Sequence, residues 1–530
     1  MGKNIIICSD GTGNTTIKGR GTNVFRLYES LDLSSHLSDP TKKQQVAFYD
    51  DGVGTERLLP LKLLGGAFGY GLKRNVCQLY TELVRCYELG DHIYLFGFSR
   101  GAYTVRTLAR LVLECGIINR ELMNDKGEKN IVDEKQLGKK VEAAYSAFRR
   151  RNHTTLSSLM ARLFNRASRK AEAGAFRKKE SIKDVEHAPQ GHASIKFVGV
   201  WDTVAAVGFP VHEVARFWDK YIWAFRFEDD RSVPRNIQNA YQALALDEER
   251  RSFRPMVWDE TTGKRHEGFT CQQVWFPGVH TNIGGGYKQP GISLVTLDWM
   301  MSKAEEAASK KEDRLRFITA KRDAYRQQQH LGDRLYDSRA GIASLYRYQP
   351  RDLDEHTFSR GMGLKHLIHS SVFDRIQNET AGYVPINISR DSEVVHTETQ
   401  PRADLVQNRE ALLRRGTSDH PNRLFDVVDR DRKVRSRAHM GAFLLFLIAG
   451  LFLVAMILDW IPSKVFWAVA LICLMTLSYV LWSTARAKKA IYRQASKHWM
   501  EVRRHLMERM EASSQNGAHE QQNAPRQRMR

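Results

Sequence analysis

The sequence predicts an α/β fold, a mostly parallel sheet covered by helices, followed by a C-terminal transmembrane helical hairpin. Short β-branched runs alternate with helical periodicities as far as Pro290. One strand-to-helix junction carries Gly97-Phe98-Ser99-Arg100-Gly101. Two uncharged 18-residue segments stand in tandem near the C-terminus, Gly441 to Leu458 and Val465 to Trp482.

The elements follow in order. Asn4-Ile5-Ile6-Ile7-Cys8 is an apolar run that reads as a buried strand, ended by the turn formers Ser9-Asp10-Gly11-Thr12-Gly13-Asn14. Val46-Ala47-Phe48-Tyr49 repeats the pattern before Asp50-Asp51-Gly52. Between Asn75 and Leu89, Val76, Leu79, Tyr80, Leu83, Val84 and Tyr87 recur at helical spacing. His92 to Phe96 is a strand, Gly101 to Cys115 a helix, and Ile195 to Trp201 a further strand. Such alternation favours a parallel sheet with both faces covered.

Residues 119–190 interrupt this rhythm as a charged insertion. Within it Leu156, Leu159, Met160, Leu163 and Phe164 share one face of a basic helix, suited to a lid, a membrane surface or its own domain. The α/β domain is expected over 1–380, helical after Pro290, with a polar, strand-poor linker or helical region over 381–440. The hairpin covers 441–482, a basic amphipathic helix 483–512, and a polar, disordered tail 513–530.

Each apolar segment, as a helix, is about 27 Å long, close to the ~30 Å hydrocarbon thickness of a bilayer. Only Asp459-Trp460-Ile461-Pro462-Ser463-Lys464 joins them, and Trp460 and Trp482 suit the interface. Both flanks are basic, Arg430 to Arg437 and Arg486 to Lys489, which places both ends and the N-terminal domain on the cytoplasmic side. No secretory signal is read at the N-terminus, and Ile6 stands where a myristoylation signal needs Ser or Thr.

With 42% hydrophobic and 10% aromatic residues, the 530-residue chain is rich enough in apolar side chains for a sizeable core. Net charge is +21, from 81 basic and 60 acidic residues, which favours anionic partners. Among these an anionic phospholipid membrane is expected, not nucleic acid, because no aromatic platforms interleave with the basic runs. Six scattered cysteines without a C-x-x-C pair make neither a zinc framework nor a disulfide scaffold, so no metal and no cofactor are expected. Oligomeric state is not encoded in any recognisable pattern.

The G-x-S-x-G sequence sits between a strand and a helix, the context of a nucleophile elbow. There Gly97 and Gly101 leave room for a strained turn that exposes the Ser99 hydroxyl. An α/β-hydrolase-like arrangement then requires an acid and a histidine downstream, in that order. Asp202 ends a strand and opens a loop. His280 leaves another strand and precedes Gly284-Gly285-Gly286, read as backbone room for a substrate. His369 and His366 are the next candidates for the base. An oxyanion hole is expected from the amide of Arg100 together with that of Gly11 or Thr12. The same glycine-rich loop as a phosphate cradle is the weaker reading, since no Lys-Ser/Thr follows it. Asp247-Glu248-Glu249-Arg250-Arg251, placed after an apolar helix, reads as a salt-bridged helix end or a support for the His280 loop.

The ordered set CSDGTGN, TNV, DGVGT, GFSRGAYTVR, VGVWDTV, ALALDEERRSFRP and WFPGVHTNIGGGY resembles the α/β-hydrolase domain of bacterial type VI secretion phospholipase effectors, class one. The resemblance covers roughly residues 3–380. It implies a Ser-Asp-His esterase on Ser99, Asp202 and His280, with phospholipids as substrate class. After the histidine, where that family often has an acidic residue, this chain has Asn282. Together these readings describe a membrane-anchored serine esterase or lipase of phospholipase A type. A catalytically inactive membrane scaffold or sensor on the same fold is the alternative.

Overall fold

The computed structural model describes residues 2–11, 21–52, 66–123, 129–131, 133–152, 195–204, 232–260, 268–353, 365–389, 391–397, 403–418, 452–453, 455–457 and 462–523. The chain divides into two compact units, Met1–Arg351 with Glu355–Met362, and Asp352–Asp354 with Gly363–Arg530.

In the first unit β1 (Asn4–Ser9), β2 (Gln45–Asp50), β3 (His92–Phe98), β6 (Ile195–Trp201), β7 (Ile237–Ala245) and β8 (Thr270–Phe276) form a sheet. A short antiparallel pair, β4 (Glu121–Met123) and β5 (Lys129–Ile131), opens the charged insertion. The order across the main sheet is β2-β1-β3-β6-β7-β8, and every pairing within it is parallel. Parallel pairing explains the unbroken apolar runs, because both faces of each strand are covered. Ile5, Ile6 and Ile7 are all fully buried, and Ile93, Phe96, Phe197 and Val198 continue that layer.

The covering helices of this unit are α1 (Asn23–Glu29), α2 (Gly66–Cys86), α3 (Arg100–Cys115), α4 (Glu134–Asn152), α5 (His280–Gly284), α6 (Gly291–Glu306) and α7 (Thr319–Gln327). Val76, Leu79, Tyr80 and Leu83 of α2 pack with Val105, Leu108 and Val112 of α3 in one core cluster. The element before Asp247, expected as an apolar helix, is instead the strand β7, Ile237–Ala245. It stands between β6 and β8 with Ala240, Ala243 and Leu244 buried, so an apolar run long enough for either state is settled by its neighbours. The amphipathic run Leu156 to Phe164 lies outside the described residues.

The second unit contains a parallel pair, β9 (His366–His369), in a stretch expected to be mainly helical, and β10 (Ser392–Val395), in one expected to be strand-poor. It also holds α8 (Ser370–Gln377), α9 (Ala403–Ser418) and α10 (Ser463–Asn523). Arg409 of α9 clamps Asp374 of α8 with two bonds of 2.8 and 2.9 Å. On α10, Trp499 is 4% exposed and its indole donates to the Pro385 carbonyl. A Cβ at Gly416 would stand 2.2 Å from that indole ring, which explains the glycine there.

The apolar half of α10 behaves differently. Trp467, Leu471, Leu474, Met475, Tyr479 and Trp482 are all exposed. Within Ser463–Leu506 lies a stretch long and apolar enough to cross a membrane, and little of it is buried. The other predicted span, Gly441 to Leu458, lies largely outside the described residues, so one spanning helix is described and not the hairpin. Nor does α10 divide at residue 483 or stop at 513. It is continuous to Asn523, running through the predicted amphipathic helix into the predicted tail.

Candidate active site

The six strands of the main sheet all point one way, so their C-terminal ends share one edge. From that edge the chain presents Asp10 after β1, Ser99 after β3, Asp202 after β6, Glu248 after β7 and His280 after β8. The order 2-1-3 reverses the winding direction between β1 and β3, the crevice where open α/β sheets accept ligands.

Ser99 occupies the turn from β3 into α3 with φ 58° and ψ −120°, a left-handed conformation that costs a non-glycine residue ~1–3 kcal/mol. Its neighbours make the turn possible. A Cβ at Gly97 would lie 2.7 Å from the Ala102 backbone, and one at Gly101 would lie 2.1 Å from the Ser9 carbonyl oxygen. The amide of Ser99 donates to the Trp201 carbonyl, tying the turn to β6.

The three side chains singled out by sequence meet at this edge. His280 Nε2 lies 2.8 Å from Ser99 Oγ, and His280 Nδ1 lies 2.5 Å from Asp202 Oδ2. With the carboxylate opposite Nδ1, that nitrogen carries the proton and Nε2 accepts from the hydroxyl. Asp202 also has a positive φ, 43°, and Ala245 N–H donates to its Oδ1 at 3.0 Å. Ser99 is 9% exposed, His280 4% and Asp202 fully buried. His366 and His369 are the first and last residues of β9 in the second unit, and both are buried.

Burial pushes the His280 imidazole below its ordinary value, a tendency its bond to Asp202 opposes. Burial alone would raise the Asp202 carboxyl, but the Arg351 guanidinium and His280 hold it well below the carboxylate range. The ring of His280 is fixed by Phe98 and Phe253, at centroid distances of 4.7 and 5.1 Å.

The charge cluster after β7 supports the His280 loop. Asp247 Oδ2 accepts from Gly278 N–H at 2.6 Å, and Glu248 Oε2 accepts from the His280 amide at 3.2 Å. Arg250 donates to both oxygens of Glu248, at 2.8 and 2.9 Å. Burial raises the Glu248 carboxyl, but Arg250 prevails and it falls to about 2. Asn282 Oδ1 accepts from Val279 N–H at 3.3 Å and so caps the helix α5 that begins at His280.

Three details differ from the sequence reading. The glycines after His280 do not all leave room for a substrate: a Cβ at Gly284 would strike the Phe98 ring at 2.0 Å, and one at Gly285 would meet the Asn23 amide at 2.9 Å. Protein fills the space those two glycines open. The Gly11 amide donates to Asp10 Oδ1 at 2.6 Å, so in this conformation it is engaged by its neighbour. Asp10 Oδ2 accepts in turn from the Thr22 and Tyr49 hydroxyls at 2.5 and 2.7 Å, anchoring the loop to the start of α1 and to β2. Thr12 lies outside the described residues. Arg351, finally, was not anticipated, although its guanidinium forms a fork with the Asp202 carboxylate.

Residues 3–303 match the family described as the type VI secretion system Tle1-like phospholipase effector, catalytic domain. The chain belongs to this family. This Tle1-like chain is also 33% identical, over 134 residues, to an uncharacterized protein of Saccharomyces cerevisiae, a match covering 23% of this chain and 19% of the relative. Two solved structures resemble it distantly. An uncharacterized protein from Pseudomonas aeruginosa matches with a TM-score of 0.31 at 15% identity, covering 78% of this chain and 57% of the other. The Tle1 effector bound to the VgrG spike matches with a TM-score of 0.28 at 16% identity, covering 54% and 52%. The Tle1-like chain therefore spans well under two thirds of the length of each of these three proteins.

Proposed function

We propose that this protein is a membrane-anchored serine hydrolase that cleaves lipid esters, acting on phospholipid acyl chains as a phospholipase A-type enzyme. One observation carries the reading: a serine at positive φ on a strand-to-helix turn lies 2.8 Å from a buried histidine whose other nitrogen faces a buried aspartate. In the mechanism it supports, Ser99 Oγ attacks the ester carbonyl while His280 Nε2 takes its proton. Asp202 holds the imidazole and stabilises its cationic form. The amide of Arg100, in the first turn of α3, and that of Thr12 stabilise the oxyanion, with Gly11 allowing close approach. His280 returns the proton to the departing alcohol, and water then hydrolyses the acyl-enzyme by the same steps.

Substrate class follows from family membership and from α10. Its exposed apolar half suits a bilayer, and tethering confines the active site to the lipid surface. The surplus of +21 favours anionic headgroups. Ser99→Ala tests the reading. It is expected to lower kcat on p-nitrophenyl esters and phospholipid vesicles by on the order of 10⁶-fold. Hydrolysis retained at the wild-type rate refutes it.

A further inference from the structure

Arg351 is 2% exposed and lies 71 positions beyond His280 in sequence. Its Nη1 donates to Asp202 Oδ1 at 2.5 Å and its Nη2 to Asp202 Oδ2 at 2.8 Å, a two-bond fork. The same nitrogens donate to the Ala245 and Phe253 carbonyls at 2.6 and 2.8 Å. Backbone pairing delivers the residue to this place. Arg251 N–H donates to the Arg347 carbonyl at 3.0 Å, and Gln349 N–H to the Glu249 carbonyl at 2.7 Å. Residues 347–351 are thereby laid along the loop that follows β7.

From this geometry we infer that Arg351 is a positioning residue of the site, fixing an ionised Asp202 against His280 and setting the pH range over which the histidine serves as base. The inference rests on the triad reading above. A carboxylate buried without a partner takes up a proton, and a protonated Asp202 no longer accepts from Nδ1–H. The fork prevents that, and it fixes the carboxylate plane so that Oδ2 remains opposite Nδ1. It also neutralises part of the charge that His280 feels, which lets the imidazole stay neutral to lower pH. Among the described residues, Arg351 and His280 act on Asp202, Arg250 and Glu248 act on His280, and Glu248 also faces Arg351.

Losing the cation has one direction of effect. With Asp202 harder to ionise, or with His280 more strongly paired to an unshielded carboxylate, the active protonation state is reached only at higher pH. The experiment measures kcat and KM against pH for full-length, detergent-purified wild type, Arg351→Met and Arg351→Lys, with a soluble p-nitrophenyl ester. In Arg351→Met the acid limb of kcat/KM is expected to move up by about one pH unit, with KM near wild type. In Arg351→Lys the charge stays and the fork is lost, so kcat falls about tenfold while the limb stays in place. Arg322→Met is a control, since that buried arginine donates to Asp298, Glu305 and Ser302, away from the groups named above, and its loss leaves the limb unmoved. An Arg351→Met protein with the wild-type limb overturns the inference. If Arg351→Met does not fold, wild-type kcat in Arg351→Lys overturns it instead. Ser99→Ala, assayed alongside, separates the two proposals: activity surviving in that variant removes the triad itself, whereas an inert Ser99→Ala beside unchanged Arg351 variants removes only this role.

Discussion

Replacing Gly101 with alanine tests whether the geometry of the elbow is the source of activity. The added Cβ would stand 2.1 Å from the Ser9 carbonyl oxygen and 2.5 Å from that of Asp10, both backbone atoms that no rotamer change can move. Contacts of real Cβ atoms hardly fall below 3.0 Å, so α3 and the end of β1 must separate by about 0.9 Å. That separation displaces the nucleophile relative to the end of β1 and Asp10. Displacement on the scale of 1 Å at a reacting centre costs about 10²-fold in rate, and an overpacked core loses about 1–3 kcal/mol of stability. Gly101→Ala is therefore expected to lower kcat by about two orders of magnitude, while thermal denaturation still shows a cooperative transition shifted by a few degrees. Ester hydrolysis by the purified variant, with circular dichroism on the same sample, measures both. A variant with wild-type kcat and wild-type Tm would refute the argument from backbone contact.

The ionisation of the site makes a prediction about pH. Burial lowers the His280 imidazole below 6.5, so the neutral, proton-accepting form persists under mildly acid conditions and the acid limb of kcat/KM falls below pH 6.5. The sign for stability follows from the same depression. The unfolded chain binds the proton first, so this contribution to stability begins to fall as pH drops through ~6.5. Asp202, also depressed, contributes above its unfolded value of ~3.9 and loses that contribution as pH falls toward its folded one. A kinetic limb centred above pH 7 contradicts this assignment. For the membrane, the full chain is expected to remain in the pellet after an alkaline carbonate wash, and a chain lacking residues 441–482 to appear in the supernatant. Recovery of the full chain in the supernatant excludes a spanning anchor.

Much of this site was legible because each of its residues stands at a strand end. A β-branched run followed by a turn marks where a parallel sheet presents functional groups, and Ser99, Asp202 and His280 each follow such a run. Gly97 and Gly101 were legible through the steric demand of the elbow. Arg351 was not, because it stands in Tyr348-Gln349-Pro350-Arg351, which has no periodicity, and because its partner is distant in sequence. A buried arginine declares itself only when the carboxylate it neutralises is placed in space. The element before Asp247 was misread because a central strand between two neighbours has no alternation to separate it from a helix. Once that segment is a strand, Asp247 and Glu248 lie at its functional end and hold the His280 loop. Gly284 and Gly285 illustrate a different limit. A glycine records that something comes close, and only the fold tells whether that is a substrate or, as here, the Phe98 ring and the Thr22–Asn23 backbone.

The most direct measurement is covalent. A fluorophosphonate reacts with an activated serine, and its site of attachment is read by peptide mass spectrometry. Modification of the peptide containing Ser99, lost in Ser99→Ala and suppressed in His280→Ala, is the predicted result. An unmodified Ser99 in active protein, or equal modification after His280→Ala, would contradict the account.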